Sequence, residues 1–187
     1  MNKKFLKFSL VLCASIVIAI SCTKKDENPT NPELPSIGTL TAKAGILTLQ
    51  SASQTGQEVS GAIEVSGFSE GFKADAKAKT DITYKVKTVT VTAITTTGPA
   101  AKDLDALKKA IAESTFKVES PSKFDNIVIG FTGDKAADNA KAIAAAITKG
   151  KTGNIILTVE ASPAGSTAGK YTATTFEVRL GIQVTGN

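Results

Sequence analysis

The sequence predicts an α+β domain built mainly of antiparallel strands, bent or sandwich-like, with two amphipathic helices. Three observations predict it. Apolar residues alternate with period two through most of the chain, two alternating stretches change face partway along, and two other stretches switch to a helical period. Period-two alternation is what a strand shows when one face is buried and the other solvated, and a mid-strand change of face demands a bulge or a crossing between sheets.

The chain opens with Lys3, Lys4 and Lys7, continues as an apolar run from Phe8 to Ile20, and reaches Ala19-Ile20-Ser21-Cys22. About 13 apolar positions fall short of the roughly 20 that a permanent spanning helix needs, so the run reads as a secretory leader over 1–21. Small side chains at Ala19 and Ser21 fit a signal peptidase cleft, which places cleavage between Ser21 and Cys22. This segment resembles the leader and lipobox of bacterial lipoproteins. It is of the looser kind found in spirochaetes and Bacteroidetes, because Ala19 and Ile20 stand where the commonest box has Leu and then Ala or Ser.

The resemblance implies acylation of Cys22. One acyl chain binds a membrane only marginally, while each buried CH₂ adds about 0.8 kcal/mol, so two or three chains make the attachment effectively permanent. It also bears on address. Thr23 stands where lipoproteins held in the inner membrane carry Asp, and Lys24-Lys25-Asp26-Glu27 resembles the charged tract that sends some Bacteroidetes lipoproteins to the cell surface. The implied location is the outer membrane, with surface exposure left open.

After Cys22, the 14 residues from Thr23 to Ser36 are mostly polar or charged, with three prolines, Pro29, Pro32 and Pro35, and hardly an apolar side chain. Such a stretch buries too little to offset its ordering entropy and is expected to be an extended tether. At about 3.3 Å per residue it would hold a domain up to ~45 Å from the headgroups. The folded domain is expected over 37–187.

Within it, Leu40, Ala42 and Ala44 give way to Leu47 and Leu49 on the opposite face, the first place where a strand must bend or change sheet. Val59, Ile63 and Val65 alternate with Glu58, Ser60 and Glu64. Ile82, Tyr84 and Val86 give way to Val89, Val91 and Ala93, the second change of face. Ile127, Ile129 and Phe131, then Ile155, Leu157 and Val159, and finally Phe176, Val178, Leu180, Ile182 and Val184 alternate without interruption. After Gly98-Pro99, Leu104, Leu107 and Ile111 form one face of a helix whose other face carries Lys102, Asp105, Lys108, Lys109 and Glu113. A second helix is expected from an Asp134 cap to Gly150, with Ala137, Ala140, Ile143, Ala144 and Ile147 as its buried stripe.

A faint repeat follows these helices. Lys109-Ala110-Ile111-Ala112 recurs as Lys141-Ala142-Ile143-Ala144, each leading to Val-Glu and then Ser-Pro. A duplicated unit of this kind predicts two helix-plus-hairpin pieces.

Composition narrows the chemistry. Histidine and tryptophan are absent, and the two cysteines, Cys13 and Cys22, lie in or beside the leader. His-based triads, His/Cys zinc sites, a disulfide framework and a free catalytic thiol are therefore removed from the domain, and no cofactor is expected. The formal charge of +5 falls to about +2 when the three leader lysines are set aside, with both signs interspersed, which argues against a nucleic-acid partner. Gly130-Phe131-Thr132-Gly133-Asp134-Lys135 fits neither phosphate-loop fingerprint and reads as loop plus helix cap.

Two groups of residues remain as candidates for interaction. Phe68 and Phe72 flank a Gly-rich polar loop, either as an exposed apolar tip or as anchors into the core. Lys73, Lys77, Lys79, Lys85 and Lys87 crowd a short stretch, suited either to an anionic glycan or to guarding an exposed sheet edge. The expected role is non-catalytic: binding another envelope protein or an anionic glycan from a membrane anchor. The rival expectations are a small lipid or ligand carrier with an apolar cavity, a carboxylate-dependent hydrolase, and a packed envelope scaffold.

Overall fold

A computed structural model describes residues 33–50, 60–95, 101–146 and 152–185, and the unit Leu34–Asn187 is treated by itself. The alternating stretches become eight strands: β1 (Gly38–Ala42), β2 (Gly45–Gln50), β3 (Ile63–Phe68), β4 (Ile82–Thr95), β5 (Thr115–Glu119), β6 (Asn126–Thr132), β7 (Thr152–Pro163) and β8 (Thr174–Thr185). They form two four-stranded sheets, ordered β1-β3-β6-β5 and β2-β8-β7-β4. Among the described ladders only β2 with β8 is parallel. Three helices complete the domain: α1 (Glu70–Asp75), α2 (Ala101–Ala112) and α3 (Ala136–Ala146). The fold is α+β and dominated by antiparallel strands.

The two changes of face resolve differently. Between Ala42 and Gly45 the chain leaves the first sheet and enters the second, so Leu40 and Leu47 both reach the core from different sheets. Within β4 the register slips between Val86 and Thr88, leaving Lys87 as the extra residue of a bulge, and slips again between Val91 and Ala93. A bulge bends its strand and raises the local twist, which curls this sheet. At the β1–β3 contact, Gly38 (φ +132°) and Gly67 (φ +88°) let two backbones approach so closely that a Cβ on either would lie 2.2 Å or 2.0 Å from a carbonyl oxygen.

One continuous core fills the interior. Phe176, Val178, Leu180 and Ile182 of β8, Ile155, Leu157 and Val159 of β7, and Ile127, Ile129 and Phe131 of β6 are all buried in it, as their alternation predicts. On α3 the buried stripe is Ala136, Ala140, Ile143 and Ala144. Ala137 is exposed because the helix opens at Ala136, after a turn in which Ala136 N–H donates to Gly133 O, instead of directly after Asp134. On α2, Ala110 and Ile111 are buried, and Lys109 pairs with Glu113 at 4.0 Å. Val59, Ile147 and the Gly98-Pro99 breaker lie outside the described residues.

The repeat has a counterpart in topology. Helix α2 leads into the antiparallel pair β5–β6, and α3 leads into the antiparallel pair β7–β8, one pair in each sheet. Their two turns, residues 120–125 and 164–173, flank the same segment, Lys77–Asp81, which joins α1 to β4.

A basic cleft beside a pinned turn

The segment after α1 is shaped by one carboxylate. Asp81 ends a short 3-10 turn, Lys79–Asp81, and is 4% exposed. Its Oδ2 accepts the backbone N–H groups of Lys77 and Ala78, both at 2.8 Å, and its Oδ1 accepts Ser166 N–H at 2.9 Å. The Ser166, Ala78 and Lys77 N–H groups, in that order, hold its pKa down at about 2 against an ordinary 3.8, although burial pulls the other way. Thr167 Oγ1 donates to Asp81 O, and Gly165 (φ +50°) passes so near that a Cβ there would lie 2.5 Å from Oδ1. The β7–β8 turn is thus fastened to the segment by atoms 85 or more residues apart in the chain.

The β5–β6 turn meets the segment from elsewhere. Lys79 Nζ donates to Pro121 O at 3.3 Å, and Tyr84 Oη donates to Phe124 O at 2.5 Å. Burial, with the Asp125 carboxylate nearby, raises the Tyr84 phenol well above its usual range and keeps it a neutral donor. Between turn and segment lies a cleft of ≈ 330 Å³ lined by Lys77, Lys79, Ser122, Lys123, Phe124 and Asp125. A neighbouring cleft of ≈ 340 Å³ shares Lys79 and is walled by Tyr84, Val118, Glu119 and Ser120.

The first cleft is basic. Several lysines elsewhere are matched by carboxylates, Lys43 with Glu64, Lys87 with Glu160, Lys117 with Glu119 and Lys170 with Asp75, while others such as Lys85, Lys108, Lys135 and Lys141 stand alone on the surface. Lys77, Lys79 and Lys123 also have no carboxylate partner among the described residues, and these three line one cleft. Asp125, its single acidic residue, keeps a buried Oδ1 with no hydrogen-bond partner, as does Ser120 Oγ in the neighbouring cleft. Both atoms are shut off from solvent, so they cost free energy without being reachable from either cleft. Phe124 gives the cleft an apolar surface.

The lysine group expected from the sequence divides. Lys77 and Lys79 converge on the cleft, Lys73 pairs with Glu70 at 2.7 Å on α1, and Lys85 and Lys87 lie on β4, at the edge of its sheet. Lys85 stands opposite Glu160, the residue that pairs with Lys87 at 3.2 Å. Lys123, Ser122, Tyr84 and Asp81 were not expected as a group. Their meeting depends on contacts across 40 or more residues, for which no local pattern exists.

Of the two readings of Phe68 and Phe72, that of anchors into the core holds and that of an exposed tip is overturned. They are 5% and 0% exposed, stack at 5.4 Å, and both meet the edge of Phe124. The cause is local: Ser69 caps α1 by accepting Phe72 N–H at 3.3 Å, and the helical turn that results, in place of a loop, carries Phe72 back into the core. Ser21 and Cys22 lie outside the described residues.

Neither of these two clefts brings two carboxylates together, since the first has Asp125 and the second Glu119. No family model, no curated protein and no solved structure matches this chain.

Proposed function

We propose that this protein is a lipoprotein, acylated at Cys22 and held at the outer membrane, whose domain is a non-catalytic binding module. The anchoring half rests on the leader and on Ala19-Ile20-Ser21-Cys22. The binding half rests on one observation: three lysines without carboxylate partners line a cleft between the β5–β6 turn and the Lys77–Asp81 segment, each held by long-range hydrogen bonds. Preorganised polar groups around a concavity are what a binding site needs, and loops set on a rigid scaffold are where such sites occur.

Two features weigh against the rivals. A lipid carrier needs an enclosed apolar cavity, and the interior between these sheets is occupied by a single continuous core. A glycoside hydrolase needs two carboxyl groups roughly 5 to 10 Å apart across a cleft, and each cleft named above has at most one.

The anchoring test is incorporation of labelled palmitate with detergent-phase partitioning. The native chain should take up label and enter the detergent phase, while Cys22→Ala should do neither. Equal partitioning of the two would overturn the anchor. Protease treatment of intact cells then reports surface exposure.

A further inference from the structure

We propose that the cleft between Lys77–Lys79 and the β5–β6 turn binds a phosphate monoester carried on a sugar, either free or as part of a lipid headgroup. The inference rests on reading the domain as a binding module and adds the ligand's chemistry.

Charge points to the anion. Lys77, Lys79 and Lys123 line a cleft whose lining includes one carboxylate residue, Asp125. Asp81, the other nearby acid, does not line the cleft and spends its oxygens on Lys77, Ala78 and Ser166 N–H groups. The excess of two positive charges matches a phosphate monoester, which carries about −1.5 to −2 at neutral pH. Lysines serve phosphates as point charges and need no planar fork.

The remaining lining points to the sugar. A bare inorganic anion would be repelled by the Asp125 carboxylate. A hydroxyl on the same molecule as the phosphate would donate to it, and Ser122 adds a hydroxyl that both donates and accepts. Phe124 supplies an apolar surface for the C–H face of a ring. At ≈ 330 Å³ the cleft lies at the small end of ligand pockets and admits one hexose phosphate.

The test uses the full chain in neutral detergent, titrated with glucose 6-phosphate and followed by calorimetry and by backbone amide shifts. Saturable binding is expected with Kd of roughly 0.1–1 mM, shifts confined to residues 77–81 and 120–125, and glucose or inorganic phosphate at least about tenfold weaker. Lys77→Gln and Lys123→Gln should each weaken binding by about tenfold, and Lys85→Gln should leave it unchanged. Phosphatidylcholine vesicles carrying phosphatidylinositol phosphate distinguish the source: capture of the protein that glucose 6-phosphate reverses assigns a lipid headgroup, and no capture alongside soluble binding assigns a free sugar.

Absence of saturable binding would overturn the proposal, as would binding indifferent to both lysine substitutions. Inorganic phosphate binding as tightly as glucose 6-phosphate would overturn the sugar. Equal capture by phosphatidylglycerol vesicles, unaffected by glucose 6-phosphate, would mean unspecific docking on an anionic surface and would overturn the site. These readouts do not depend on acylation, so loss of the ligand and loss of the anchor are separate results.

Discussion

The β7–β8 and β5–β6 turns close hairpins that follow similar helices, and both begin near a Val-Glu and a Ser-Pro, yet they do opposite things. The β7–β8 turn is fastened throughout. Ser166 and Thr167 hold Asp81, Ser166 Oγ donates to Asp75 O, Tyr171 Oη donates to Asp75 Oδ2, and Lys170 pairs with the same carboxylate. The β5–β6 turn is held by Tyr84 and Lys79, by Val65 N–H donating to Asp125 O and by Phe124 packing on Phe68 and Phe72, and it carries Lys123, which has no carboxylate partner. A turn bonded along its length to the rest of the protein stabilises the fold, whereas the β5–β6 turn leaves the charge of its lysine to the cleft.

Phe72 serves both turns, packing edge-on against Phe124 at 5.8 Å and Tyr171 at 5.4 Å. Phe72→Ala should erase the difference between them. Loss of a fully buried ring costs about 3–5 kcal/mol, the largest effect expected, and urea denaturation should show it without a change in m-value.

Asp81→Asn acts on the fastened turn and on the Lys77–Asp81 segment, and should lower Tm by less than Phe72→Ala. Its signature is in pH. The folded pKa, about 2, lies below the ordinary 3.8, so the carboxylate's contribution is complete above about pH 4 and fades as pH falls toward 2. The gap in Tm between native protein and Asp81→Asn should therefore be constant near neutrality and narrow through that interval. A gap independent of pH would mean that the carboxylate's charge does not hold the turn.

How much of this was legible from the sequence varies with the range of the interaction. The strands of the core were readable because burial of one face imposes period two locally, and both changes of face marked real events, a crossing after Ala42 and a bulge at Lys87. Helix α1 was not readable. It is six residues long and contains Gly71, so its formation depends on the Ser69 cap and on Phe72 finding a core assembled from distant strands. The lysine-rich stretch was visible as charge, but only the fold separates Lys77 and Lys79, which meet Lys123, from Lys85 and Lys87, which lie along an edge strand. Asp81 resembled any other acid among lysines, since Ser166 lies 85 residues away.

Tyr84→Phe tests the support of the open turn. It removes the donor to Phe124 O while preserving the ring's contact with Phe176, and should cost about 1–2 kcal/mol. Both tyrosines of this tryptophan-free chain have raised pKa values, Tyr84 through burial and then Asp125, Tyr171 through burial and then Asp75. A raised folded pKa contributes stability below the ordinary 10.0 that is lost as pH climbs past it. Phenolate absorbance should therefore appear later than in free tyrosine and together with alkaline unfolding, and an early rise of half the amplitude would show that one of the two phenols is not protected.

The smallest effect on stability is expected where the effect on binding should be greatest. Lys77→Gln and Lys123→Gln remove charges that have no carboxylate partner to lose from a basic cleft, so Tm should hold or rise, with stability changing by less than about 0.5 kcal/mol. A lysine kept for the fold would behave in the opposite way, because its removal would strand a carboxylate. If either substitution lowered Tm as much as Tyr84→Phe does, the cleft lysines would be part of what holds the β5–β6 turn, and that turn would belong with its β7–β8 counterpart as a structural clasp.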